Sequence, residues 1–150
     1  RRGSRQQLMA EAGPHYSAQT KARKAALDIL FMADQRGASI SETFTEQRSL
    51  AGGVVRELTS AIVLGVAEHQ LEIDQRIEES TNSAWPLDRM PSVDRCLARL
   101  AVFELDYTDT PPAAVISEAV RLAGDLSTDD SPSFLNGLLS KALAAKPTTD

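Results

Sequence analysis

Leu126-Ser-Thr-Asp-Asp-Ser-Pro-Ser-Phe-Leu-Asn-Gly-Leu-Leu-Ser-Lys141 carries the most information about how this chain folds. Two carboxylates, Asp129 and Asp130, stand just before Ser131-Pro132. Serine is a favoured N-cap, and proline is tolerated in the first helical position because its missing N–H would be unpaired there anyway. A helix is therefore expected to open at about Pro132. Phe134, Leu135, Leu138, Leu139 and Leu143 then recur at helical spacing and mark one apolar face.

Working outward from that segment, the rest of the chain reads the same way. Ala22, Ala25, Ala26, Ile29, Leu30 and Ala33 mark a helix from about Ala18 that ends at Arg36-Gly37. Ser39 and Glu42 have capping-box spacing, so a short helix follows. Residues 50–53 break the pattern. A long helical run extends from Val54 to about Ser80, with Gly65 and Glu68-His69-Gln70 placed to bend or split it. Residues 81–91, with Trp85-Pro86, form a connection. A helix follows from about Pro91 to Tyr107, in which Val93, Leu97, Leu100 and Glu104 fall in one row. Thr110-Pro111-Pro112 ends it and starts another that carries Val115, Ile116, Ala119, Val120, Leu122, Ala123 and Leu126. No alternating run argues for a strand. The fold class is all-α, a compact bundle of about seven helices.

At 150 residues the chain suffices for one domain with a real core. It has no apolar run near the roughly 20 residues that span a bilayer, and no apolar stretch of a secretory signal at its N-terminus. Cys96 is the only cysteine and two histidines cannot build a usual zinc site, so no metal or cofactor is expected and the setting reads as cytoplasmic. The missing initiator Met implies a processed, truncated or renumbered chain.

Charge is unevenly spread. Residues 1–24 hold Arg1, Arg2, Arg5, Lys21, Arg23 and Lys24 against Glu11 alone, a sum of +5; the remainder holds ten basic and twenty acidic residues, a sum of −10. A basic end on an acidic body points to a polyanion partner for that end. Residues 1–17, with Gly3, Gly13 and Pro14, read as a flexible basic arm, and residues 18–150 as the helical body. Lys21, Lys24 and Asp28 share a stripe of the first helix, with Arg23 beside it. Cations at a helix start oppose its dipole, a small sign of use rather than of stability. Generic surface charge accounts for these cations equally well.

Catalysis finds little support. No phosphate-binding glycine loop or Gly-x-Ser-x-Gly elbow occurs. Glu78-Glu79 reads as a solvated face, Asp129-Asp130 as acids ahead of a helix N-terminus, and His69 as a residue at a bend. Phe31 and Phe134 fit a core, although an aromatic beside a basic patch can also stack on an unpaired base for roughly 1–3 kcal/mol.

Three stretches resemble the NusB family of bacterial transcription antitermination factors: residues 21–31 (Lys-Ala-Arg-Lys-Ala-Ala-Leu-Asp-Ile-Leu-Phe), residues 91–105, and residues 115–123 running on through Asp129-Asp130 to Leu139. The likeness spans about residues 18–145. It implies two packed helical subdomains, binding to the single-stranded boxA element of ribosomal RNA leader transcripts, and a partner, the ribosomal protein NusE, within an RNA polymerase antitermination complex. By motif position, the resemblance assigns Lys21, Arg23 and Lys24 to the RNA-binding helix. It assigns Asp130, Phe134 and Asn136 to the RNA-facing loop and helix start, and Phe31 and Asp94 to the NusE side. Gln19 and Thr20 stand where the family often carries basic residues. Two other readings remain open at this stage. One is the similar N-terminal domain of a ribosomal-RNA cytosine methyltransferase, which would need a catalytic domain beyond Asp150. The other is a purely protein-binding helical module. A homodimer through the first-helix face would hide the basic stripe.

Overall fold

The computed structural model describes residues 15–81 and 86–146. Among these, seven α-helices form: α1 (Ala18–Arg36), α2 (Ile40–Leu50), α3 (Glu57–Glu68), α4 (Gln70–Glu79), α5 (Ser92–Tyr107), α6 (Pro112–Leu126) and α7 (Ser131–Ala144). One 3-10 turn, Leu87–Arg89, precedes α5, and no strand is present among the described residues. The expected arm falls largely on residues 1–14, and Trp85 within residues 82–85; both lie outside the described residues.

Local chemistry accounts for most boundaries. The Ser17 hydroxyl accepts from the Thr20 N–H at 3.2 Å and opens α1. Gly37, at φ 62°, closes it in the left-handed conformation, and the next N–H, of Ala38, bonds back to the Ala33 carbonyl at 2.9 Å. The Ser39 hydroxyl accepts from the Glu42 N–H at 3.1 Å, which is the serine half of the expected capping box. The expected long helix from Val54 to Ser80 is two helices. Gly52 and Gly53 take φ of 72° and 84°, Val54 is exposed, and α3 begins only at Glu57. His69, at φ −111° and ψ 22°, then separates α3 from α4.

The last helix corrects a second expectation. Ser131 is its first residue rather than its cap, and Asp130 occupies the cap position without a side-chain bond. The Ser131 hydroxyl instead sits buried, 2.9 Å from Asp94 Oδ2. A hydroxyl there gains more from a buried carboxylate than from one exposed helix N–H.

α5 is the axis of the molecule. It packs against α1, α3, α4, α6 and α7, so the helices before it and those after it meet along it. Its residues Cys96, Leu97, Ala98 and Leu100 to Leu105 are all buried. Ile62, Val63, Val66, Ile73, Ile77, Leu122, Leu135 and Leu139 close around them. Burial in apolar surroundings pushes the Cys96 thiol up to about 12, so Cys96 is an inert core residue.

Candidate nucleic-acid interface

The expected basic stripe divides on folding. Lys21 is exposed and forms no ion pair among the described residues. Lys24 is half-exposed and spans one turn to Asp28, 3.0 and 3.2 Å from its two oxygens. Arg23 corrects the expectation of a surface cation: it is only 6% exposed. Its Nε and Nη2 donate to the two oxygens of Glu104 at 2.7 and 2.8 Å, and Nη1 reaches Glu118 at 3.3 Å. The hydrogen bond to Glu104 raises the guanidinium pKa further, against the opposing effect of burial. Two such carboxylates leave Arg23 committed to the fold. Thr20 donates to the same Glu118 oxygen at 2.8 Å, which ties the first turns of α1 to α6.

Residues 15–17 are docked on the body, not part of a free arm. The Tyr16 hydroxyl donates to Asp125 at 2.7 Å, the Arg121 guanidinium lies 5.0 Å from the Tyr16 ring centroid, and Arg121 donates to the His15 carbonyl at 3.3 Å. Burial, and then the bond to Asp125, push the Tyr16 hydroxyl up to about 12. The chain leading into α1 is therefore clasped to α6 directly ahead of Lys21.

The second group of expected residues lies on the α6–α7 side. Asp130 and Asn136 are exposed, and Phe134 is half-buried against the core with one part facing outward. What sets this segment is Asp94. The family resemblance assigns Asp94 to the NusE side; in this structure it is 1% exposed. Ser127 donates to one of its oxygens at 2.5 Å and Ser131 to the other at 2.9 Å. Thr128 closes the cluster, its N–H donating to Ser131 Oγ at 3.2 Å. Asp94 thus anchors the loop that presents Asp130 and the start of α7. Both of its oxygens are engaged inside the fold. Phe31, 36% exposed on α1, keeps a surface position compatible with its expected role.

A set of partly buried ion pairs was not identified in the sequence. Arg95 meets Asp34 at 2.6 Å, Arg99 meets Asp74 at 2.8 Å, and Arg76 meets Asp106 at 2.8 Å. Glu104 was visible as the one acid in an apolar row, and such a residue must find a cation or be neutralised. Pairing it with Arg23, 81 residues away, requires the tertiary fold.

Comparison with known proteins decides the family. The NusB family model matches residues 20–144. The chain belongs to the NusB family. It is 46% identical over 133 residues to the transcription antitermination protein NusB of Nocardioides sp., covering 88% of this chain and 98% of that protein. Against the NusB of Arthrobacter sp. it is 47% identical over 133 residues, covering 88% and 97%. Among solved structures, NusB of T. maritima superimposes with a TM-score of 0.75 at 26% identity, over 87% of this chain and 94% of that one. A complex of the antitermination factors NusB and NusE with double-stranded RNA contains a chain matched at TM-score 0.73 and 27% identity, over 85% and 96%. The all-α NusB fold follows from both comparisons and from the seven helices.

Proposed function

We propose that this chain is a non-enzymatic, RNA-binding transcription antitermination factor. It would hold boxA-like single-stranded RNA of ribosomal leader transcripts together with NusE, within an antitermination complex on RNA polymerase in the cytoplasm. The observation that carries the reading is family membership across nearly the whole described body, together with the solved NusB–NusE–RNA assembly among its structural neighbours. No helix among the described residues is long and apolar enough to cross a membrane, which agrees with a transcription role. The NusB proteins of Nocardioides sp. and Arthrobacter sp. are matched over 98% and 97% of their own length, which favours this reading over a methyltransferase domain.

In this mechanism no bond changes. Lys21 and Lys24 neutralise phosphates, while Phe134 and Asn136 meet bases. Arg23 acts indirectly by fixing α1 against α5 and α6. The acidic body repels RNA elsewhere and confines it to this face. Each phosphate neutralised on a single strand contributes about −0.7 to the slope of log K against log salt. Two lysines therefore predict a slope of about −1.4 from the described residues, with any contribution of Arg1, Arg2 and Arg5 added to it. Fluorescence anisotropy with a boxA-like RNA, with and without NusE and across salt, is the test. A slope near zero, or equal affinity for a scrambled RNA, contradicts the reading. Light scattering across concentrations in the same buffers checks for a homodimer; one built on the α1 face would compete with RNA.

A further inference from the structure

The junction of α3 and α4 is a second surface, built from a column of rings. Phe103 is buried, and it occupies the space a side chain would need at Gly65: a Cβ there would lie 2.2 Å from the Phe103 ring. Tyr107, one turn on, stacks against Phe103 with centroids 5.8 Å apart. His69, the residue that parts the two helices, lies flat on Tyr107 at 3.9 Å and 11° between planes. Tyr107, the middle ring of the column, remains 41% exposed. Leu71, two residues past His69, is 84% exposed, and Leu64, beside Gly65, is 45% exposed. A single exposed leucine is ordinary. Two of them at the junction whose rings are held rigid from below make an apolar face with a firm floor.

The exposed charged residues next to His69 and Tyr107 along the chain are acidic. Glu68 and Glu72 are exposed on either side of His69. Asp109 follows Tyr107 and is exposed. Neither Glu72 nor Asp109 has an ion-pair partner among the described residues. The nearby cation, Arg76, is already spent on Asp106, at 2.8 and 2.9 Å, and on the Ala142 carbonyl at 2.9 Å. Burial first, and then the negative charge of Glu72 and Asp106, hold the Tyr107 hydroxyl above its usual range. Such a field repels a nucleic acid and attracts a basic protein segment.

We propose that the α3–α4 junction, centred on Tyr107 and Leu71 and flanked by Glu68 and Glu72, docks a basic segment of a partner protein that inserts one apolar side chain. The proposal is independent of the RNA reading, since Lys21, Lys24 and Phe134 take no part in it. The test is a titration of the isotope-labelled full chain with a lysine-rich peptide carrying a single central tryptophan, followed by NMR. Expected are shift changes at residues 64–72 and 103–109. Leu71→Ser and Glu72→Lys should each weaken binding about ten-fold. Both positions are exposed, so both variants should keep the melting temperature and RNA affinity of the parent. A peptide with glutamates for lysines should not bind. Shifts confined to other surfaces, equal affinity of the variants, or concentration-dependent self-association abolished by Leu71→Ser would overturn the proposal, the last by making a second copy of this chain the occupant.

Discussion

Two residues apart on α1, Lys21 projects into solvent while Arg23 turns inward to Glu104. Their substitutions should separate cleanly. Arg23→Ala leaves the Glu104 carboxylate buried without its partner, and breaking such a pair costs about 3–5 kcal/mol. Urea denaturation should show that loss, and Arg23→Lys should restore little of it, because an ammonium cannot reproduce the two-pronged contact. Lys21→Ala should leave stability within about 0.5 kcal/mol, as for surface changes generally. It should also lower the salt slope of RNA binding by about 0.7. Asp130→Asn removes an exposed negative charge at the start of α7 and should tighten RNA binding if phosphate passes there; unchanged affinity assigns Asp130 to the helix start alone. Asp34 supplies a pH prediction. Burial pushes its carboxyl up, but the hydrogen bonds from Arg95 and Ser92 and the charges of Arg95 and Arg99 outweigh it, and the net pKa is lowered. Its stabilising contribution is therefore complete above the unfolded-state value near 4 and is lost as pH falls through the lower folded value. Urea midpoints taken from neutral pH to pH 2 should fall less steeply for Asp34→Asn than for the parent chain.

Among the elements, α3 and α5 meet so closely that one hydrogen atom decides the fit. Gly65→Ala would drive a methyl group into the Phe103 ring, and overpacking of this kind costs about 1–3 kcal/mol. Thermal unfolding should show the cost, and Phe103→Leu in the same chain should recover part of it by vacating the ring's position. Helix starts and stops were largely readable, because Gly37, Ser39 and the Pro111-Pro112 pair act within a few residues of themselves. The split at His69 was legible as a weak point, whereas the late start of α3 depended on two glycines taking left-handed conformations together. The Ser131 reading missed for a different reason. Cap preference is a local rule, and a buried carboxylate from another helix outcompeted it.

For the whole molecule, most of the other helices pack on α5, so damage there should not stay local. Leu97→Ala, at a fully buried position, should cost about 2–5 kcal/mol. It should also weaken RNA binding only in proportion to the unfolded fraction, which circular dichroism and anisotropy on one sample can compare. The surfaces also divide by charge. The start of α1 carries the exposed cation Lys21, and the α3–α4 junction carries exposed Glu68 and Glu72. If both proposals hold, RNA at the first surface and a basic protein segment at the second would not compete.

By itself the sequence determined the helical class, most helix boundaries, the apolar faces and the charge asymmetry, since all of these follow from spacing and short-range backbone chemistry. The likeness to the NusB family was also visible in it, in three stretches. Only the tertiary structure decided which charged residues face water. Arg23 and Asp94 carry the residue types and positions of surface contacts, yet both are enclosed, by Glu104 and Glu118 in one case and by Ser127 and Ser131 in the other. The physical reason is distance along the chain. A charge can be buried only where folding brings it a partner, and these partners lie from 33 to 95 residues away.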